Sequence, residues 1–142
     1  MTASIVALAL ALGCGANTAA QSRENLADSI RMYNDGVRWE RFTVAAALLP
    51  ERARGRFADD MDQRAKDVKI TDYEVVRVDT KNDREATVHV KMAWYRDSEG
   101  KLLETHAVQT WERRGKSWLM VDEARLRGPE MPGLAEPTTG KP

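Results

Sequence analysis

The sequence predicts an α+β domain in which N-terminal helices pack on a four-stranded antiparallel sheet. Three observations predict it. Apolar residues recur at helical spacing through the first half of the chain. The period drops to two after Val68. The later connections are too short for a parallel return, which needs about a dozen residues or more, so neighbouring strands must be antiparallel.

Leu26, Ile30, Tyr33 and Val37 fall at steps of four, three and four, one face of an amphipathic helix. Ser22 is its expected N-cap, and Gly36 loosens its C-terminal end. Trp39, Phe42, Ala46 and Leu49 give a second, shorter helical face. Pro50 interrupts it and suits the first turn of the next helix. Phe57, Met61, Ala65 and Val68 repeat the spacing and predict a third helix over residues 51–67. Its opposite face pairs Arg56 with Asp60 and Asp62 with Lys66, four residues apart.

Residues 71–79, TDYEVVRVD, are rich in β-formers, and the polar run 80–83 turns the chain. Residues 85–96 alternate, with Ala86, Val88, Val90, Met92 and Trp94 on one side and Thr87, His89, Lys91 and Tyr95 on the other. Residues 97–100, DSEG, form a turn. Residues 102–112 make a third strand, Arg114 and Gly115 a tight turn, and residues 117–126 a fourth strand. From Gly128 the chain reads GPEMPGLAEPTTGKP and holds 4 of the 5 prolines. With few apolar residues to bury, residues 128–142 are expected to be a flexible tail. The folded domain is then residues 23–127, without internal repeats.

A chain of 142 residues, 42% hydrophobic and 31% charged, suits one globular domain. Lys plus Arg is 22 and Asp plus Glu is 22, so the net charge is zero, which argues against a nucleic-acid partner. The cluster Arg52, Arg54 and Arg56 is offset by Asp59, Asp60 and Asp62 and reads as a solvated helix face. The single cysteine allows no internal disulfide, and two histidines without a second cysteine cannot close a structural zinc site. The chain lacks the P-loop, G-x-G-x-x-G, G-x-S-x-G and H-E-x-x-H patterns. No metal and no cofactor are expected.

Residues 1–13 carry no charged side chain, and Ile5, Val6, Leu8, Leu10 and Leu12 with intervening alanines form an apolar run. It is shorter than the ~20 residues that span a bilayer and suits a signal peptide. It ends in Ala11-Leu12-Gly13 before Cys14, and Gly15-Ala16-Asn17 follows. This resembles the bacterial lipobox, in which a small residue precedes a cysteine that is acylated and becomes the new N-terminus. The resemblance implies lipid attachment at Cys14, through acyl chains such as palmitate, with residues 14–22 as a tether. Two or more chains on one residue anchor stably, at roughly 0.8 kcal/mol per buried methylene. Ala11 stands where the lipobox favours Leu, and residues 1–13 contain no Lys or Arg. Gly15 after the cysteine, rather than Asp, implies by the same resemblance a periplasm-facing place on the outer membrane. Two other readings stay open: an apolar helix packed on the domain with Cys14 as a buried thiol, and a plain secretory signal cut among the later alanines.

The order of three helices and an antiparallel sheet, together with residues 110–123, TWERRGKSWLMVDE, resembles the nuclear transport factor 2-like (cone-fold) superfamily. Many members close with two long strands about a glycine turn, with a Trp on either side, here Trp111, Gly115 and Trp118. Tyr33 fits the aromatic of the first helix. The resemblance covers residues 26–126 and implies a strongly twisted sheet around a pocket. It does not choose among isomerases, dehydratases, ligand binders and assembly modules.

Enzymes of that fold set a carboxylate or an imidazole–carboxylate pair in the pocket, often opposite a neutral Tyr donor. The candidates are Tyr33, His106, Asp122 and Glu123. His89 lies on the more polar side of its strand and is read as a rim residue. His106 shares a side with Glu104, Val108 and Thr110, which leaves its face ambiguous. Asp122 has the parity of Trp118 and Met120, and Glu123 that of Leu119 and Val121, so one faces the apolar side unless the strand bulges. Trp39, Trp94, Trp111 and Trp118 are the expected core and pocket lining. The favoured expectation is a membrane-anchored, non-catalytic module that binds a small apolar ligand or a protein partner in the cell envelope. The alternative is an isomerase- or dehydratase-like enzyme. A third reading is a dimer formed through the outer sheet face.

Overall fold

A computed structural model describes residues 14–138. Its elements run α1 (Cys14–Arg38), α2 (Phe42–Ala46), α3 (Glu51–Arg64), β1 (Val68–Thr80), β2 (Glu85–Arg96), β3 (Leu103–Arg114) and β4 (Ser117–Arg127). The strands form one antiparallel sheet in the order β1-β2-β3-β4. This is the expected α+β architecture of helices on a four-stranded meander. The signal peptide expected over residues 1–13 lies outside the described residues.

Leu26, Ile30, Tyr33 and Val37 of α1 are buried, as their spacing demands. They meet the inner sheet face, made of Ala86, Val88, Val90, Met92 and Trp94 of β2, Ala107 and Trp111 of β3, and Trp118 and Met120 of β4. Phe42, Leu48, Leu49 and Met61 close the core from the second and third helices. Where the indoles enter this core, their N–H groups find acceptors. Trp94 Nε1 donates to Thr105 Oγ1 at 2.9 Å, and Trp118 Nε1 to the Ser22 carbonyl at 3.0 Å.

Four details differ from the sequence expectations. Helix α1 is already formed at Cys14, the first described residue, so Ser22 is an interior helical residue rather than an N-cap, and residues 14–22, read as a tether, are helical. Trp39 lies outside the second helix. There α1 ends in a Schellman motif, with Glu40 at φ 55°, Arg41 N–H donating to the Gly36 carbonyl at 2.7 Å and Glu40 N–H to the Val37 carbonyl at 3.3 Å. Pro50 is the N-cap of α3, one position ahead of its first turn.

The fourth difference is the C-terminal segment, expected to be flexible from Gly128 onward. Over residues 128–138 it docks. Met131 and Leu134 are buried, Thr105 Oγ1 donates to the Pro129 carbonyl at 2.8 Å, and Arg125 N–H donates to the Ala135 carbonyl at 2.7 Å. Ala135 thereby pairs in parallel with Ala124 on the free edge of β4, and Arg125 forms an ion pair with Glu136. The local composition is poor in apolar residues, but two well-placed ones suffice because β4 offers an open edge.

Candidate functional site

A cavity of about 260 Å³ lies between α1, α3, the inner face of β4 and the docked C-terminal segment. Tyr33, Phe57, Met61, Arg64, Met120 and Glu123 line it, and Gly133 and Ala135 close one side. Asp60 stands at its margin, exposed. Phe57 and Trp111 both pack on the Tyr33 ring, with centroids 6.0 and 6.1 Å away, the second edge-on.

A bulge decides which carboxylate enters. Trp111 pairs with Met120 and Thr110 with Asp122, so Val121 is the extra residue and the parity of β4 reverses behind it. Glu123 pairs with Gln109 on the inner face, while Asp122 is exposed on the outer one.

Once inside, Glu123 joins a buried polar network. Its Oε2 accepts from Gln109 Nε2 at 2.7 Å and its Oε1 from the Tyr33 hydroxyl at 3.3 Å. Gln109 Nε2 also donates to Asn34 Oδ1 at 2.9 Å, and Gln109 Oε1 accepts from Trp111 Nε1 at 3.2 Å. Asn34 Nδ2 donates back to the Ile30 carbonyl at 2.8 Å. No buried side-chain polar atom among the described residues lacks a partner, so the network is fixed in one arrangement.

Burial pushes the Glu123 carboxyl above its ordinary range, against the opposing pull of Gln109, Arg64 and Tyr33. Burial likewise carries the Tyr33 phenol well above its usual value, helped by the neighbouring Glu123 charge, so it stays a neutral donor. Burial lowers the Arg64 guanidinium, and Glu123 partly restores it. The group keeps its charge near neutral pH, as guanidinium does in proteins.

Of the candidates read from the sequence, Tyr33 and Glu123 come together here. His106 and Asp122 do not. The inner parity of Thr105, Ala107 and Gln109 forces His106 outward, where it meets Glu104 at 3.4 Å and Arg127 at 3.4 Å. His89 is also outside, beside Arg77 at 3.2 Å. Trp39 lines no pocket: it is 59% exposed with Arg38 stacked on its ring at 4.8 Å. Trp94 and Trp111 are core beneath the cavity, and Trp118 borders two surface grooves on the far side of α1 and β4. The Cys14 side chain falls outside the description. Among the described residues, no three His, Cys, Asp or Glu side chains gather as metal ligands, and no helix is long and apolar enough to cross a membrane.

Arg64, Gln109 and Asn34 were not singled out from the sequence. Each carries the same signal, a polar side chain at a position the apolar stripe requires: Asn34 between Ile30 and Val37, Arg64 after Phe57 and Met61, Gln109 between Ala107 and Trp111.

No family model matches the sequence, and no curated protein matches it significantly. Several solved structures share its fold. One is a SEC-C motif containing protein from Rhodopseudomonas palustris, with 12% identity, 70% of this chain and 77% of that one covered, and a TM-score of 0.60. A conserved protein from Planctomyces limnophilus has 13% identity, 73% and 97% coverage, and a TM-score of 0.55. A protein named "Putative Scytalone Dehydratase" from Novosphingobium aromaticivorans has 11% identity, 89% and 99% coverage, and a TM-score of 0.61. At these identities the likeness establishes the fold alone, an α+β cone of helices on a four-stranded antiparallel sheet.

Proposed function

We propose that this chain is an acyl-anchored protein of the bacterial cell envelope whose cone-fold domain holds a small molecule in the Tyr33–Glu123 cavity without transforming it. One observation carries the binding half. Both Glu123 oxygens already accept hydrogen bonds, from Gln109 and Tyr33, and neither histidine lies on the cavity side of the sheet. A carboxylate tied down in this way shapes and polarises a pocket more readily than it shuttles protons.

The anchoring half rests on the LALALGCGAN stretch at residues 8–17 and places Cys14 at the outer membrane, facing the periplasm. With α1 helical back to Cys14, the connection from Ser22 is a stalk of roughly 12 Å at the helical rise of 1.5 Å per residue. In the host bacterium, Cys14→Ala should move the domain out of the membrane fraction, and globomycin should make the uncleaved precursor accumulate. Unchanged fractionation and unchanged length would sink the anchor. The outer sheet face presents His89, Lys91, Glu104, His106 and Asp122, a mixed charged surface that gives homodimerisation no support.

A second reading, an isomerase- or dehydratase-like enzyme, draws on the convergence of Tyr33 and Glu123 and on the name of the Novosphingobium neighbour. With His106 and Asp122 outside, Glu123 is the remaining candidate for its base. Turnover of scytalone that disappears in Glu123→Gln would replace the binding reading.

A further inference from the structure

The cavity contains a cation that the surrounding protein does not use. Arg64 lies half-buried on the cavity-facing side of α3, and its guanidinium offers five N–H donors in a rigid fork. Among the described residues none of these donors makes a hydrogen bond, and no described carboxylate lies within ion-pair distance. Glu123 is close enough to influence Arg64 electrostatically, yet both its oxygens are turned to Gln109 and Tyr33. The unpaired donors reach the solvent-accessible space of the cavity, so an anion entering it can take them up without breaking a contact within the protein.

The walls restrict what that counter-charge can be attached to. Phe57, Met61 and Met120 present apolar surface, and the two methionines adapt to irregular shapes. About 260 Å³ is below the usual range for drug-sized ligands. The docked segment lies against the arginine stem. A Cβ on Gly133, whose φ is 78°, would sit 2.9 Å from Arg64 Cδ, so the glycine lets the C-terminal segment press on the arginine stem. One guanidinium with a carboxylate nearby does not neutralise a dianion.

We propose that the cavity selects a compact organic monoanion, a carboxylate on a small apolar body, with Arg64 gripping the carboxylate in a two-pronged hydrogen bond. This rests on the ligand-binding reading and names its ligand class. The groups facing the bound anion are Tyr33 from α1, Asp60 and Arg64 from α3 and Glu123 from β4; Gln109 of β3 and the closing residues Gly133 and Ala135 are uncharged.

The test is calorimetric titration of the purified domain with benzoate, with neutral benzamide and cationic benzylamine as shape controls and inorganic phosphate as the dianion control. Benzoate should bind at least about tenfold more tightly than the others, the scale of one charge-assisted pair. Arg64→Gln should lower benzoate affinity by a similar factor without altering the urea midpoint. Arg64→Lys, which keeps stem and charge but loses the fork, should fall between. Equal binding of benzamide, or full benzoate affinity in Arg64→Gln, overturns the anion proposal while the binding pocket survives. If none of the probes binds, the ligand-binding reading fails with it.

Discussion

Val121 determines the chemistry of the cavity without entering it. By leaving Val121 unpaired, β4 turns Glu123 inward and Asp122 outward. The consequence is measurable in the pH dependence of stability. Burial raises the Glu123 carboxyl above its ordinary value near 4.5, which is its value in the unfolded chain. The stabilisation tied to its proton is therefore complete below about pH 4.5 and is lost as pH rises through the folded-state value. Each unit of upward displacement is worth about 1.4 kcal/mol. Glu123→Gln keeps the shape and removes the titration. Melting temperatures from pH 4 to pH 8 should show the Gln variant gaining on the wild type as pH rises. A difference that stays flat, or moves the other way, would mean that the carboxyl is not desolvated. At this scale the sequence offered Tyr33 and the Asp122–Glu123 pair, because residue type and parity are visible in it. It could not choose between the two acids, since a one-residue bulge leaves no compositional trace. The apolar-stripe positions of Asn34, Arg64 and Gln109 were legible in principle, as each breaks a hydrophobic period.

Elements are joined here by close approaches that a single methyl group can disturb. Gly36 lies where α1 passes α2, and a Cβ there would meet Ala45 Cβ and Ala45 N at 3.0 Å and the Arg41 carbonyl at 3.2 Å. Two of those atoms are backbone and cannot turn aside. Gly55, on the exposed side of α3, would meet nothing within 4 Å. The same change should therefore have opposite signs. Gly36→Ala should cost about 1–3 kcal/mol through overpacking, and Gly55→Ala should add about 0.5–1 kcal/mol through helix propensity. Urea midpoints that shift in the same direction for both variants would refute the assignment of Gly36 to a packing contact. Of the two glycines, the sequence reading weighed only Gly36. It read Gly36 as a loosening of the helix end. Gly36 instead supplies the carbonyl that closes the Schellman motif, and its missing side chain admits α2.

For the whole molecule, the least legible feature was the C-terminal segment, because its proline-rich composition is that of a disordered chain while its docking depends on an edge it reaches only in three dimensions. Residues 128–138 cover the β4 edge and one side of the cavity, held by Met131, Leu134, the Pro129 and Ala135 carbonyls and the Arg125–Glu136 pair. Met131 and Leu134 are the only apolar side chains the segment buries among the described residues, so its docking free energy is small beside the stability of the domain, and it should open locally before the domain unfolds. A damaging change within it can cost no more than that docking energy. Met131→Ala and Leu134→Ala should each lower the melting temperature, but the double variant should lose less than the sum. Truncation after Gly128 should match the double variant and leave the remaining domain cooperative. Full additivity, or a truncated chain that no longer melts cooperatively, would show instead that the segment belongs to the folding core.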